Sequence, residues 1–380
     1  MKVALYNVTT GWKRGGIETF NMEMGRALSQ LGHDVMIVTG STEAGETLAH
    51  EALSICARPF KRREAFPDFR RIHRTGGSAL RKYLERRSFA ANALSAVIDS
   101  QPDLVVISKP YDFGFMEKLK RRSPSTVVVF CSGGKDFFVT DRFQKKVVDV
   151  WVACSQFNAE QIQARYGVTP AIIPYGVDLE IFQPGEKDKE FRGRHGIGDE
   201  DFLLVAVGRL VGWKGFQVVV GALKDLPYAH LVIVGGGGYR STLEEQAATV
   251  GAGSRVHFIG DVRHHGTPYF FRQADLYVHP SIGQEAFGIS LLEAMACGVP
   301  VLGSDRGAIP TVLHGAGLIA KARDSGDWAA KIASLRDDHR RRAAMADAGL
   351  AMVRGSYSWQ AGAERLVELV GARRGRAASE

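Results

Sequence analysis

The chain has only four cysteines in 380 residues, Cys56, Cys131, Cys154 and Cys297. None is spaced C-x-x-C or paired with a histidine, which excludes a disulfide scaffold and argues against a zinc site. Reduced, buried thiols are expected. Long apolar runs are also missing. No stretch approaches the about 18 uncharged apolar residues of a membrane-spanning helix. The opening MKVALYNVTTG carries one basic residue and alternates like a strand, unlike a signal peptide. A cytoplasmic protein is expected. There is no G-x-G-x-x-G loop, and the second strand does not end in an acid, which argues against a dinucleotide enzyme. No basic motif interleaved with aromatics points to nucleic acid, and no such partner is expected.

The length suggests two domains of ordinary size. The net charge of +8 is uneven: Arg58 to Arg87 holds eleven Lys/Arg against three Asp/Glu, a surplus equal to the whole. Such a block suits an anionic lipid surface or a phosphorylated acceptor. A solvated helix face accounts for it as well. If the block meets lipid, the protein works at the inner face of the plasma membrane.

Val3 to Val8 alternates as a strand, Thr9 to Gly16 is turn-forming, and Ile17, Phe20, Met24, Ala27, Leu28 and Leu31 recur at helical spacing until Gly32. Apolar runs at 103–108, 126–130 and 148–155 continue the rhythm. Near-continuous apolar strands alternating with helices predict a parallel sheet covered on both faces. A Pro/Gly/charge-rich passage from Ile172 to Phe202 interrupts the pattern. Runs at 202–208, 230–238, 255–260, 275–281 and 300–304 then restart it. Two Rossmann-like α/β domains facing a cleft are expected, spanning 1–175 and 183–357, with a final helix at about 358–372 packing back on the first. Ligands of such sheets bind beyond the carboxyl ends of the strands.

The polar motifs fall at those ends. VGRLVGWKG (207–215) sets Arg209 and Lys214 on one glycine-rich loop, a fixed fork and a mobile point charge suited to a diphosphate. IVGGGG (233–238), with Gly235, either admits a phosphate or nucleoside or solves a packing problem. Gly15-Gly16 opens a helix whose free N–H groups favour an anion, although a plain glycine turn explains the same residues. EAFGISLLE (285–293) contains Ser290-x-x-Glu293, a capping-box pattern. A capping box leaves Glu285 unexplained. Carboxylates beside a diphosphate make sense if they face hydroxyl donors. Asp199-Glu-Asp201 reads as solvated loop charge.

The ordered set of the Gly15-Gly16 turn, IIPYGVD, GRLVGWKG, IVGGGG, VHFIGDV, PSIGQEAFGISLLEAMACGVPVLGSD and SYSWQAGAERLVEL resembles glycosyltransferase family 4 over nearly the whole chain. Glu285 and Glu293 match that family's E-x7-E signature. The resemblance implies a GT-B fold and transfer of a hexose-type sugar, with retention, from a nucleotide diphosphate sugar (UDP or GDP) to a glycan or lipid-linked acceptor in cell-surface glycan assembly. Neither metal nor other cofactor is implied. Carried over, Arg209 and Lys214 would hold the diphosphate and Glu285 the sugar hydroxyls. The amides of Phe287, Gly288, Ile289 and Ser290 would meet sugar and phosphate, and Glu293 the ribose. Gly16 would approach the diphosphate, and Ile259, Asp261 and Val262 would lie along the nucleobase. The chain departs from the family in three places. No histidine follows the fourth or fifth strand, where Lys109, Lys135 and Asp136 stand instead, and Lys109 with Gly15 becomes the acceptor candidate. Ala286 replaces a common glycine, and Ile282-Gly-Gln284 is one residue longer than the usual spacer. A nucleotide-sugar epimerase or a phosphorylase on the same fold, or a non-catalytic nucleotide-sugar binder, are the alternatives.

Overall fold

The computed structural model describes residues 1–13, 15–41, 53–67, 77–134, 136–138 and 140–379. They form two compact units, Met1–Tyr175 joined by the C-terminal helix from Trp359, and Gly176–Ser358.

The first unit runs β1 (Lys2–Tyr6), α1 (Gly16–Gln30), β2 (Asp34–Ser41), β3 (Ser54–Pro59), α2 (Gly77–Asp99), β4 (Leu104–Ile107), α3 (Phe113–Arg122), β5 (Val127–Ser132), α4 (Asp141–Gln144), β6 (Val150–Ala153), α5 (Gln156–Tyr166) and β7 (Ala171–Ile172). Its seven strands are parallel in the order β3-β2-β1-β4-β5-β6-β7. β4 and β5 are buried at every position because helices cover both faces, which is why their sequences are apolar without alternation. The order reverses between β1 and β4, where the loops after the two strands diverge and leave room for a ligand.

The second unit runs α6 (Phe191–Arg194), β8 (Phe202–Val207), α7 (Phe216–Ala222), β9 (Ala229–Val234), α8 (Arg240–Thr249), β10 (Val256–Gly260), α9 (Thr267–Gln273), β11 (Leu276–His279), α10 (Ile289–Ala296), β12 (Val301–Ser304), α11 (Ile309–Leu313), β13 (Leu318–Ala320), α12 (Ser325–Arg336) and α13 (His339–Ser356). Its six parallel strands take the order β10-β9-β8-β11-β12-β13, with the reversal between β8 and β11. α14 (Trp359–Ser379) lies on α1 of the first unit, with Trp359 6.1 Å from Phe20 and Arg374 2.8 Å from Asp103.

Three strands escape the sequence pattern: β3, β7 and β13 stand at sheet edges and are partly exposed, so they lack an apolar run. All four cysteines are free thiols, but Cys56 is half-buried, since it sits on edge strand β3.

The Arg58–Arg87 block is only in part a solvated surface. Arg86 is buried against Asp112 and donates to Asn7 Oδ1 at 2.8 Å. Arg63 pairs with Glu85 at 2.9 Å and Lys82 with Asp136 at 2.9 Å. These cations are drawn inward by acids far away in sequence. Lys61, Arg62 and Arg87 remain exposed, and positions 68–76 of the block lie outside the described residues.

Candidate active site

The loops leaving β8, β9 and β11 in the second unit are locked together by glycines. A Cβ on Gly215 would stand 1.8 Å from the Pro280 carbonyl oxygen, and its φ of +76° already favours glycine. That approach lets the Trp213 carbonyl accept from the amides of Ile282 and Gly283 at 2.9 and 3.1 Å. Lys214 is thereby carried to Glu285, Nζ to Oε2, at 2.6 Å.

Glu285 Oε2 also accepts from Ser281 Oγ at 3.1 Å and lies 3.4 Å from His279 Nε2. Burial pushes its carboxyl up, but the Lys214 ammonium and then His279 outweigh this and hold it well below the usual carboxylate range. It is therefore ionised and can only accept, which suits hydroxyl donors. Burial lowers the pKa of His279, which is 3% exposed, with Glu285 opposing and Lys214 adding to the fall. Its Nδ1 lies 3.2 Å from Tyr277 Oη and 3.3 Å from Ser290 Oγ, and Tyr277 donates to Ser290 at 2.8 Å.

That contact settles the alternative for EAFGISLLE. α10 begins at Ile289 with Gly288 as its N-cap at φ +90°, and the Ser290 hydroxyl faces Tyr277. Ser290 lies inside the helix, so the Ser-x-x-Glu pattern is not a capping box here. Glu293, 5% exposed, meets His264 Nε2 at 2.7 Å instead. The amides of Ile289 and Ser290 open an eight-residue helix and have no partner within it, and the Ser290 hydroxyl lies 3.3 Å from His279 Nδ1, whose other ring nitrogen is 3.4 Å from Glu285. Phe287 and Gly288 are buried, while Ile289 and Ser290 are half-buried at this end.

Arg209 is exposed on the same loop as Lys214 and makes no ion pair among the described residues. Gly235 is explained by packing: a Cβ there would meet the Gly208 carbonyl at 2.2 Å, and its amide already donates to Gly260 at 2.8 Å. This leaves no Gly235 N–H for a phosphate. Asp261 Oδ1 accepts from the Gly236 amide at 2.9 Å, so this side chain braces the loop holding Ile259 and Val262.

In the first unit, Gly15 precedes α1 and Gly16 opens it, but the helix carries its own acid there: Glu18 accepts from Thr9 Oγ1 at 2.5 Å. This carboxylate offsets the attraction of the helix start for an anion. Lys109 Nζ lies 2.9 Å from Asp136 Oδ2, and Asp136 Oδ1 receives Lys82 Nζ at 2.9 Å and Tyr111 Oη at 3.3 Å. Burial lowers the Lys109 pKa, with Asp136 opposing. Lys135 lies outside the described residues. The sequence reading missed His264 and His279. The signal for His279 was a lone polar residue closing the apolar run of β11.

A family model described as Glycosyl transferases group 1 matches residues 187–352, and one described as Glycosyltransferase Family 4 matches residues 14–181. The chain belongs to glycosyltransferase family 4. It is 33% identical over 238 residues to the GDP-mannose-dependent monoacylated alpha-(1-6)-phosphatidylinositol monomannoside mannosyltransferase of Corynebacterium glutamicum, covering 59% of this chain and 62% of that one. The chain thus spans about three-fifths of the length of the curated relatives it matches. Among solved structures, sucrose-phosphate synthase from Thermosynechococcus elongatus superposes with a TM-score of 0.82 at 20% identity, over 99% of both chains. Anabaena HepE in complex with UDP and glucose gives 0.79 at 20% identity, over 98% of this chain and 99% of that one. At such identity the likeness establishes the fold, which is GT-B.

Proposed function

We propose that the chain is a retaining glycosyltransferase that moves a hexose-type sugar from a nucleotide diphosphate sugar to a lipid-linked or glycan acceptor. One observation carries this reading: an ionised Glu285, Lys214 and the start of α10 converge in one loop cluster, with unpaired Arg209 alongside. The carboxylate can orient sugar hydroxyls. The two cations and the helix amides can stabilise the charge that builds on the departing diphosphate. With that charge met by protein groups, the reaction needs no metal ion. Lys214 is shared between Glu285 and the incoming phosphate, so the two negative groups are never juxtaposed without a cation. His279 and Ser281 hold the carboxylate in place as Lys214 is drawn toward the donor.

The Corynebacterium relative supports a GDP-sugar donor and a phosphoinositide-type acceptor, whereas HepE supports UDP. The acceptor is assigned to the first unit, where Lys82 and Lys109 flank a single acid, Asp136. No described helix is long and apolar enough to cross a membrane. Work at the inner face of the plasma membrane fits a lipid-linked acceptor.

Thermal-shift measurements with UDP-, GDP- and ADP-sugars test the donor, since a ligand of the folded state raises its stability with its affinity. NMR of the product tests the anomeric outcome. Retention, undiminished in EDTA, is expected. No stabilisation by any of the three donors would overturn the reading, and conversion of the sugar without transfer would indicate an epimerase.

A further inference from the structure

Besides Lys61, Arg62 and Arg87, exposed positive charge among the described residues of the first unit also gathers around α4. Phe143 in α4 is 83% exposed, the most exposed large hydrophobic side chain among the described residues. Arg142 and Lys146 beside it are exposed and form no ion pair among the described residues. α4 packs on α3 so closely that a Cβ on Gly114 would meet Gln144 Nε2 at 2.6 Å. From Gly114, Lys118, Arg121 and Arg122 follow at helical spacing along the same side of α3, all exposed. Five cations therefore accompany one bare aromatic ring. The neighbouring acids are engaged: Asp141 is buried against Arg165 at 2.5 Å, and Asp149 pairs with Lys120 at 2.5 Å. α3 itself carries one acid, Glu117, on the same side, so the cations of this face outnumber its free acids five to one.

We infer that this α3–α4 face docks on an anionic bilayer, Phe143 entering the acyl boundary while Lys118, Arg121, Arg122, Arg142 and Lys146 meet headgroup phosphates. A single ring is too little apolar area to form the core of a protein interface of about 800 Å² per partner. It suffices as the second of two weak membrane signals, insertion plus spread positive charge. The surface is separate from the donor-site residues, and its test requires no turnover.

The whole protein is sedimented with vesicles of phosphatidylcholine alone and of phosphatidylcholine with one-third phosphatidylglycerol, at low and high salt. Binding to the anionic vesicles alone is expected, falling about tenfold or more at high salt as the charges are screened. Phe143→Ser should lower the partition coefficient about tenfold, and Arg142→Glu with Lys146→Glu at least as much. Thermal midpoints should not change, because these side chains are exposed. Equal binding to neutral and anionic vesicles would overturn the inference. So would wild-type binding by Phe143→Ser, or self-association lost in Phe143→Ser without any vesicle binding.

Discussion

Lys214 has two negative partners in the proposed reaction and one in the resting structure. Its 2.6 Å contact with Glu285 is largely withdrawn from water, each side chain being 14% exposed. Removing one member of such a pair strands the other, at a cost of about 3–5 kcal/mol. Lys214→Met should therefore lower stability in urea by several kcal/mol, and lower kcat by about 10²–10³ through loss of leaving-group stabilisation. Glu285→Gln added to it should recover most of the stability but none of the rate. If the double variant is as unstable as the single one, the pair is not what holds these loops. Both residues were legible one at a time, Lys214 from its loop chemistry and Glu285 from the E-x7-E match. Their pairing across 71 positions was not, because local motifs say nothing of what lies opposite. The same holds for His264 on Glu293.

At the scale of elements, glycine positions determine where those side chains stand. Gly215 lies in the left-handed region, and its missing Cβ makes room for the Pro280 carbonyl. Gly215→Ala should cost at least about 2 kcal/mol, from strain plus displacement of the Pro280 segment. It should also weaken donor binding by moving Lys214 off Glu285. Chemical denaturation together with donor thermal shifts checks both, and a variant as stable as wild type would show that the loops relax freely. The sequence marked 207–215 as a glycine-rich loop at a strand end, since composition alone carries that information. It could not distinguish glycines that meet a ligand from Gly235, which meets another backbone. Nor could it foresee that Ser290 begins inside α10, because the capping box and the observed N-cap at Gly288 differ by two residues. Charge counting failed at Lys82 and Arg86 for a similar reason: Asp136 and Asp112, both outside the counted block, neutralise them from other parts of the fold.

At the scale of the whole molecule, the doubly wound character of both sheets was legible because strands covered on both faces must be apolar throughout. Edge strands β3, β7 and β13 are exempt from that requirement and so were invisible. The end of the second sheet away from the donor loops holds a feature that composition also hid. His230, second in β9, places Nδ1 3.0 Å from Nε2 of His257, second in β10, while His230 Nε2 faces Asp201 at 3.2 Å. The His195 ring lies 5.5 Å from that of His257. Asp201 is thus partnered rather than simply solvated loop charge. Burial, and then the neighbouring His230 and His195, lower His257 from 6.5 to about 4. Burial also lowers His230, with Arg255 and Arg192 adding to it and Asp201 opposing. A group that binds its proton more readily unfolded than folded contributes stability that is complete above the unfolded value and is lost as pH falls toward the folded value. The unit Gly176–Ser358 should therefore lose stability as pH falls from about 6.5 toward about 4, a loss that begins well above the range of ordinary carboxylates. His257→Gln should flatten that part of the profile. Calorimetric midpoints of the wild type and of His257→Gln across this window decide the matter, because a slope unchanged by the substitution would place the proton uptake elsewhere.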